Sequence, residues 1–417
     1  MHRGFRNTVY FVLVLIFFLI ISWRLDAIAN PFVDDPWPMF QNDASHTGYI
    51  PITIAPRTFR QKWERTIGTY DLNPVTVSEG KVFVSEKIYF NSSRLYALDA
   101  TTGNTLWSKQ FGEVFSVNPP SFAYGNVYIQ TGKESSTGDA PYLRAYNADT
   151  GELVFKTEFE AQWERYYAPT IYDGTIYIDG GYYGGMYAFD AYTGFQKWFS
   201  NLPQYDQWTP AVDQNFAYAY LGENSPALYV LNRLTGEMVF SIPDPDFDWN
   251  GWSMNLAPVV GGADDIIVIH DGRLISFDIT NRNIRWQLAG NFSGQPSIAN
   301  GIIYAINSGA LTARAQQTGN QIWAWEIPAD NINGTIIVTN SHLFVQTSSK
   351  VYAIDLNTHQ DVWSATIPAN SNLTISGNSL YIAGADGSLK AIGFEQVTSP
   401  SLDYLMPFIP LLLLKDK

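Results

Sequence analysis

Leu95-Tyr-Ala-Leu-Asp99-Ala-Thr-Thr102-Gly103-Asn-Thr-Leu-Trp107 reads as a strand, a tight turn and the start of a second strand. Met186-Tyr-Ala-Phe-Asp190-Ala-Tyr-Thr193-Gly194-Phe-Gln-Lys-Trp198 repeats it nearly position for position, weaker copies begin at Leu143, Leu228, Leu274, Leu311 and Val351, and a truncated copy begins at Leu389. A period of roughly 40 to 50 residues with strands throughout points to a propeller or another closed array.

A second pair of strand signals precedes the phrase. It runs Pro74-Val-Thr-Val-Ser-Glu-Gly80-Lys-Val-Phe-Val, Pro169-Thr-Ile-Tyr-Asp173-Gly174-Thr-Ile-Tyr-Ile and Pro296-Ser-Ile-Ala-Asn300-Gly301-Ile-Ile-Tyr. Asp-Gly and Asn-Gly between alternating β-branched and aromatic residues mark hairpins, because both central positions of a type I′ turn need positive φ. Each unit is therefore four antiparallel strands, A to D. In the C-to-D turn Gly103, Gly151, Gly194, Gly236 and Gly319 can take the left-handed conformation. The Asp four residues earlier, as in Asp99 and Asp190, can cap that turn with its carboxylate, which makes these acids turn formers before they are catalysts.

The aromatic that ends each phrase occurs at Trp107, Phe155, Trp198, Phe240, Trp286, Trp323 and Trp363, while the phrase from Leu389 stops at Ile392-Gly393 without one. Upstream, Arg60-Gln-Lys-Trp63-Glu-Arg-Thr-Ile67 reads as an orphan D strand. With Trp63 completing the sheet of residues 373 to 392, the chain forms an all-β, eight-bladed propeller whose two ends share one blade, a closure that leaves only short, protected edges.

The phrase resembles the docking motif of the pyrroloquinoline-quinone-like (PQQ-like) β-propellers, Ala-x-Asp-x-x-Thr-Gly-x-x-x-Trp. Ala97, Asp99, Thr102, Gly103 and Trp107 match it fully, as do Ala188, Asp190, Thr193, Gly194 and Trp198. Other copies depart from it: Asn147 and Asn232 replace Asp, Arg282 and His359 replace Gly, and Ala315 replaces Asp. Trp37-Pro-Met-Phe-Gln-Asn-Asp43-Ala-Ser-His46-Thr-Gly48 is similar to the lead-in many of these proteins carry. The resemblance spans residues 37 to 397 and implies a packing role between blades for Trp63, Trp107, Trp198, Trp286, Trp323 and Trp363. It does not imply bound quinone. In architecture the chain is similar to the propeller subunit of the outer-membrane β-barrel assembly machinery, a lipoprotein, whereas this chain lacks the cysteine that a lipid would need.

With 46% apolar, 15% aromatic and 15% charged residues in 417, the chain can bury one large core. It contains no cysteine, which removes disulfides, thiolate zinc sites and cysteine nucleophiles together. Residues 1–29 read as a signal peptide or signal anchor. His2, Arg3 and Arg6 precede the apolar run Val9 to Ile21, and Ala27-Ile28-Ala29 offers a cleavage site that would start the mature chain near Asn30. The alternative is an uncleaved anchor over residues 8–22, since the run is long for a signal and short for a span. Either reading exports the propeller to the periplasm or the extracellular space. Removing residues 1–29, which carry Arg3, Arg6, Arg24 and Asp26, takes the formal charge from −14 to −16. An acidic surface argues against nucleic acid and anionic lipid as partners.

Three further segments complete the division: a lead-in over 30–58, the propeller over 59–397 and an apolar tail over 398–417. Leu402-Asp-Tyr-Leu-Met-Pro-Phe-Ile-Pro-Leu-Leu-Leu-Leu-Lys-Asp-Lys417 is too short to span a bilayer, and Pro407 and Pro410 break any helix. It docks on its own domain, touches a membrane or is read by a partner. Asp43 and His46 lie in the lead-in, where capping the propeller is the expectation.

Function is expected on the loops that join D to A and B to C, which emerge on one face. In blades 2 to 5 they carry Trp163, Tyr166, Tyr167, Tyr182, Tyr183, Tyr205, Trp208, Trp249 and Trp252 beside carboxylates and amides. Such planes suit a protein, an extended peptide or a glycan, although large rings also pack between blades. Asp246, Asp248, Asn250 and Gly251 reproduce the first half of a calcium loop, but Ala257 stands where the bidentate Glu belongs. The quinone dehydrogenases of the resembling family hold their cofactor over calcium, many with an adjacent-cysteine ring. No such ring and no Cys-x-x-Cys-His haem site exists here, and fold analogy alone establishes no chemistry. Asn91, Asn291, Asn333 and Asn372 fit the glycosylation tripeptide. Asn73, Asn118, Thr209, Gln295, Asn333 and Asn372, at the entrances of the A strands, are expected to line the channel mouth and bind water. These features together predict an exported, non-catalytic scaffold for envelope or extracellular proteins, with no quinone cofactor. The alternatives are a carbohydrate-binding propeller or a PQQ- and calcium-dependent dehydrogenase.

Overall fold

In a computed structural model the described residues are 36–397, except 56, 134–139, 162–167, 183, 204–207, 223–224, 249–255, 263 and 329. Every regular element among them is a β-strand. Blade 1 shows the unit: an inner strand Thr76–Ser78, then Lys81–Ser85, Tyr89–Asp99 and an outer strand Thr105–Ser116, paired antiparallel in that order. Blades 2, 3 and 4 repeat it as separate four-stranded sheets. Blades 5, 6 and 7 form one continuous sheet because Asn283–Ala299 serves twice, as the outer strand of blade 5 and the inner strand of blade 6, and a single parallel bridge joins Gln295 to Thr335. Blade 8 is closed from outside: Arg60–Thr66 pairs antiparallel with Ser388–Gly393, bringing Trp63 opposite Ala391. The strands thus divide into eight four-stranded blades with both ends of the repeat array in one of them.

Turn chemistry explains why the hairpins form where they do. At Asp173-Gly174 and Asn300-Gly301 both residues have positive φ, and the same geometry occurs at Glu79-Gly80 and Tyr124-Gly125, where the sequence signal is weaker. In the C-to-D turn the Asp99 carboxylate accepts from the Thr101 and Thr102 amides and from the Thr102 hydroxyl. Asp190 does the same in blade 3, and Asn147 and Asn232 accept from two amides each with their amide oxygens.

The aromatic ending each phrase lies on the C-to-D turn of the next blade. The indole N–H groups of Trp63, Trp107, Trp198 and Trp286 donate to the Ala100, Ala148, Arg233 and Gln316 carbonyls at 2.9–3.1 Å. Their rings lie against Gly103, Gly151, Gly236 and Gly319, and Phe155 lies against Gly194. Where glycine is replaced, the ring meets a side chain face on. The Arg282 guanidinium sits 4.5 Å over Phe240 and His359 stacks on Trp323 at 4.3 Å, while both replacements keep a left-handed φ of 55°. Blade 8 has no such turn, and Phe59, one residue before the closing strand, stacks on Trp363 at 4.7 Å. Eight docks complete the ring.

Gly103 and Gly80 separate two causes. Both have φ of +70°, but a Cβ at Gly103 would lie 2.6 Å from the Trp63 ring whereas Gly80 faces open space. Gly80→Ala is expected to cost about 1 kcal/mol, the backbone term alone, and Gly103→Ala about 2 kcal/mol or more. Equal losses in denaturant unfolding would sink the steric explanation.

Residues 37–54 cross the axis at the end formed by the A-to-B and C-to-D turns. Trp37 pairs with Val77, Phe122 donates to the Pro38 carbonyl, and the Val212, Val260, Ile298 and Val338 amides donate in turn to Ala44, Ser45, Thr47 and Gly48. His46 is wholly buried, its ring nitrogens 2.8 Å from the Phe40 and Pro210 carbonyl oxygens and Nε2 3.2 Å from the Thr170 hydroxyl. Burial holds its pKa below the ordinary histidine value despite those contacts. Ile50, Ile52 and Ile54 then join the core of blades 7 and 8 beside Ile337 and Leu373. This single segment touches all eight blades.

The inner strands also tie to one another. The hydroxyls of Thr76, Ser121, Thr170, Ser297 and Thr374 each donate to a backbone carbonyl of the following blade, at 2.5–3.0 Å. The expected water-binding mouth is corrected at five of its six residues by the same logic. Asn73 donates to Val117 O, Thr209 to Ala168 O and Asn372 to Leu72 O, Gln295 both donates to and accepts from the Ala257 backbone, and Asn118 pairs with Gln130. Buried polar groups need partners, and here neighbouring strands supply them.

Candidate functional site: the loop face of blades 2 to 5

At the opposite end of the axis the D-to-A and B-to-C loops emerge. Between blades 2 and 3 the chain is tied down before it enters the loop. Glu160 accepts from the Gly181 amide and donates its own amide to the Tyr187 hydroxyl, and Ala161 bridges Gly181. Gly181 and Gly185 let the Phe199 ring approach their backbone, too closely for a Cβ at either position. Tyr182 rises from this glycine-rich loop with 57% of its surface exposed.

Of the predicted binding-surface residues, Tyr182 is thus on the face and open. Trp163, Tyr166, Tyr167, Tyr183, Tyr205, Trp249 and Trp252 lie outside the described residues. Trp208 is corrected: at 2% exposure it belongs to the main core cluster, next to Thr209 and its bond to Ala168, and is a packing residue.

The segment after Met238–Pro243 leads to the longest of these loops and is held by charge as well as packing. The Asp244 side chain is fully buried and accepts two bonds from Arg273, at 2.9 and 3.1 Å, and one from the Tyr220 hydroxyl at 2.6 Å. Burial alone would raise the Asp244 pKa, and the Arg273 and Tyr220 bonds outweigh it, holding the carboxyl below its usual range. Phe247 stacks on His270 at 4.0 Å, and the His270 Nε2 lies 2.8 Å from the Asp248 carbonyl oxygen. Burial depresses the His270 pKa, so the ring is neutral at pH 7.

This arrangement bears on the candidate calcium loop. The Asp246 carboxylate accepts from the Gln287 amide at 2.6 Å, Asp248 is exposed, and Asn250 lies outside the described residues. Among the described residues no three His, Asp or Glu side chains converge as metal ligands. Asp244 is thus engaged with Arg273 and Tyr220 and Asp246 with Gln287, which anchors the chain where it leaves Met238–Pro243.

The structure adds a group that sequence reasoning missed. The C and D strands of blade 1, Tyr89–Asp99 and Thr105–Ser116, are nearly twice as long as their counterparts and extend beyond the blade on this same face. Phe90 meets Phe115 edge to face at 4.3 Å, Asn91 donates to the Tyr70 hydroxyl, and Tyr70, Tyr89 and Phe90 are all exposed. The available signal was the uninterrupted polar and aromatic stretch between Tyr89 and Arg94.

Comparison with known proteins follows the same lines. The family model described as "Outer membrane protein assembly factor BamB" matches residues 48–138, 92–325 and 308–398. Tetrathionate hydrolase of Acidithiobacillus ferrooxidans is 21% identical over 374 residues, covering 77% of this chain and 74% of that protein. Outer membrane protein assembly factor BamB of Francisella tularensis is 30% identical over 100 residues, 24% of this chain and 19% of that one. Among solved structures, BamB from Moraxella catarrhalis superposes with a TM-score of 0.62 at 14% identity, covering 81% of this chain and all of that one. A europium-containing methanol dehydrogenase gives 0.65 at 12% identity, covering 88% and 98%. Likeness at that identity shows the fold alone, which a dehydrogenase and an assembly factor share. The family match, running through every blade, shows that the chain belongs to the PQQ-like repeat, BamB-like family of β-propellers.

Proposed function

We propose that the protein is an exported, non-catalytic propeller that binds envelope or extracellular proteins through the loop face of blades 2 to 5. The observation that carries this reading is where its ionisable groups are spent. Asp99, Asp190 and Asp355 cap turns, Asp244 is paired with Arg273, and His46 is sealed in the lead-in. What differs from blade to blade is the loop face, where Tyr182 stands exposed on a tethered base. Aromatic side chains on anchored loops present a large contact area at a small cost in conformational entropy. The assembly-factor relatives support a protein partner, and a glycan is the alternative ligand for the same rings.

The test is capture of envelope proteins by the purified protein and by a Tyr182→Ala/Trp252→Ala variant. The expected result is a bound partner whose recovery falls about tenfold in the variant, as for a pair of interface anchors. Undiminished recovery would place the interface elsewhere. Consumption of tetrathionate, or a bound-quinone absorbance on addition of quinone and calcium, would replace the scaffold by an enzyme.

A further inference from the structure

The turn end of the propeller, opposite the proposed binding face, has its own surface chemistry. In blades 2, 3 and 4 its turns expose Tyr124, Tyr192, Phe195 and Leu234, and Leu153 and Met238 follow at the starts of the adjoining outer strands. Phe195 is 74% and Leu234 66% exposed, and Tyr124 and Tyr192 touch at 4.9 Å. The corresponding turns of blades 1, 6 and 8 are polar, with Thr101-Thr102, Gln316-Gln317 and Gly377-Asn378. Leu106 of blade 1 and Ile322 of blade 6 are exposed singly at the starts of their outer strands, whereas in blades 2 to 4 the exposed apolar residues occur together on the turns. Monomeric soluble surfaces rarely keep such protruding rings and aliphatic chains in water without a use.

Two observations identify what covers it. Both described ends of the chain leave from this end: Trp37 pairs with Val77 beside the A-to-B turn of blade 1, and Val397 donates to Thr53 beside the turns of blades 7 and 8. Beyond them the sequence carries the apolar run Val9 to Ile21 on one side and Leu402 to Leu414 on the other. Three ion pairs lie around the cluster, Lys81 with Asp149, Lys197 with Asp190 and Arg233 with Asp173, and the exposed Glu152 and Glu237 beside Leu153 and Met238 leave it acidic, which disfavours anionic lipid. Tyr and Phe beside Leu and Met, on the end from which both apolar segments of the sequence depart, match the interfacial zone of a bilayer without anionic lipid.

We infer that the turn end of blades 2 to 4 is the membrane-facing surface of this protein, with Tyr124, Tyr192, Phe195, Leu234 and Met238 entering the interface of zwitterionic lipid. The loop face then points away from the membrane. This orientation is independent of which partner the loop face binds.

Hydrogen–deuterium exchange on the full chain, with and without phosphatidylcholine vesicles, tests it. Amides of 190–197 and 233–239 are expected to slow by about fivefold or more on the vesicles, with those of 180–185 unchanged. A Tyr192→Ser/Phe195→Ser/Leu234→Ser variant, changed only at exposed positions, should keep its unfolding midpoint and lose that protection. Unprotected turns, or protection of 180–185 instead, overturn the inference. So does turn protection without vesicles, whether it depends on protein concentration, which assigns the patch to a second copy, or disappears on deleting 402–417, which assigns it to the tail.

Discussion

Trp63→Ala is expected to lower the stability of the propeller by about 3–5 kcal/mol, the range for emptying a buried aromatic site. Trp63 is buried in the cluster that joins blades 8 and 1, donates its indole N–H to Ala100, packs on Gly103 and lies 6.0 Å from the Tyr381 ring. It also stands in the strand that supplies the outer edge of blade 8. The loss therefore falls on the closure as well as on one dock. Exchange of the amides in Ser388–Gly393 should accelerate in the variant, because their outer partner strand is released. Trp323→Ala, at a dock where the ring rests half-buried on His359, is the control and should cost less. Identical midpoints for the two variants would contradict a special role for the closing blade.

Arg273→Ala is expected to be as damaging at neutral pH, about 3–5 kcal/mol, because it leaves the Asp244 carboxylate buried without its cation. The pH dependence identifies the cause. In the native protein the folded-state pKa of Asp244 lies below its unfolded value, so its contribution is fully present above the unfolded value, about 3.9, and is lost as pH falls through the folded one. Without Arg273, burial raises the folded pKa, and the penalty is relieved as the carboxyl takes up a proton. The deficit relative to the native protein should therefore shrink as pH is lowered towards 4. A double Asp244→Asn/Arg273→Met variant should recover most of the loss at pH 7. A deficit constant from pH 7 to pH 4 would show that lost packing of the Arg273 side chain, and not the stranded charge, is responsible.

The scaffold was legible because its signals are local. Asp99, Thr102 and Gly103 make their turn within five residues, and Asp173-Gly174 needs nothing distant to set its φ values. Trp63 was legible by a different route, since an unfinished phrase at Ile392 requires a completing strand and one stood unclaimed upstream. The path of the lead-in was not, because Ala44, Ser45, Thr47 and Gly48 use their carbonyl groups, which carry no residue-specific signal. The role of Asp244 was not legible, because the partners that define it, Tyr220 and Arg273, are on other strands. Trp208 reads the same whether its ring faces outward or inward, and only the packing of blades 3 and 4 places it in the core. Phe195 and Leu234 occupied variable positions of the repeat and stood out only once their turns were seen to share one end of the molecule.

The lead-in has a consequence for the time course of folding. It precedes the blades in the chain, yet the amides that bind it belong to Val212, Val260, Ile298 and Val338, and the strand at Arg60–Thr66 waits for Ser388–Gly393. Contacts so distant in sequence make folding slow and leave early segments unsatisfied. As the chain is made, the lead-in emerges with these carbonyl groups unpaired and the closing strand as an open edge. The ring can lock only after the eighth blade arrives, and a pause before it would hold the molecule in its most aggregation-prone form.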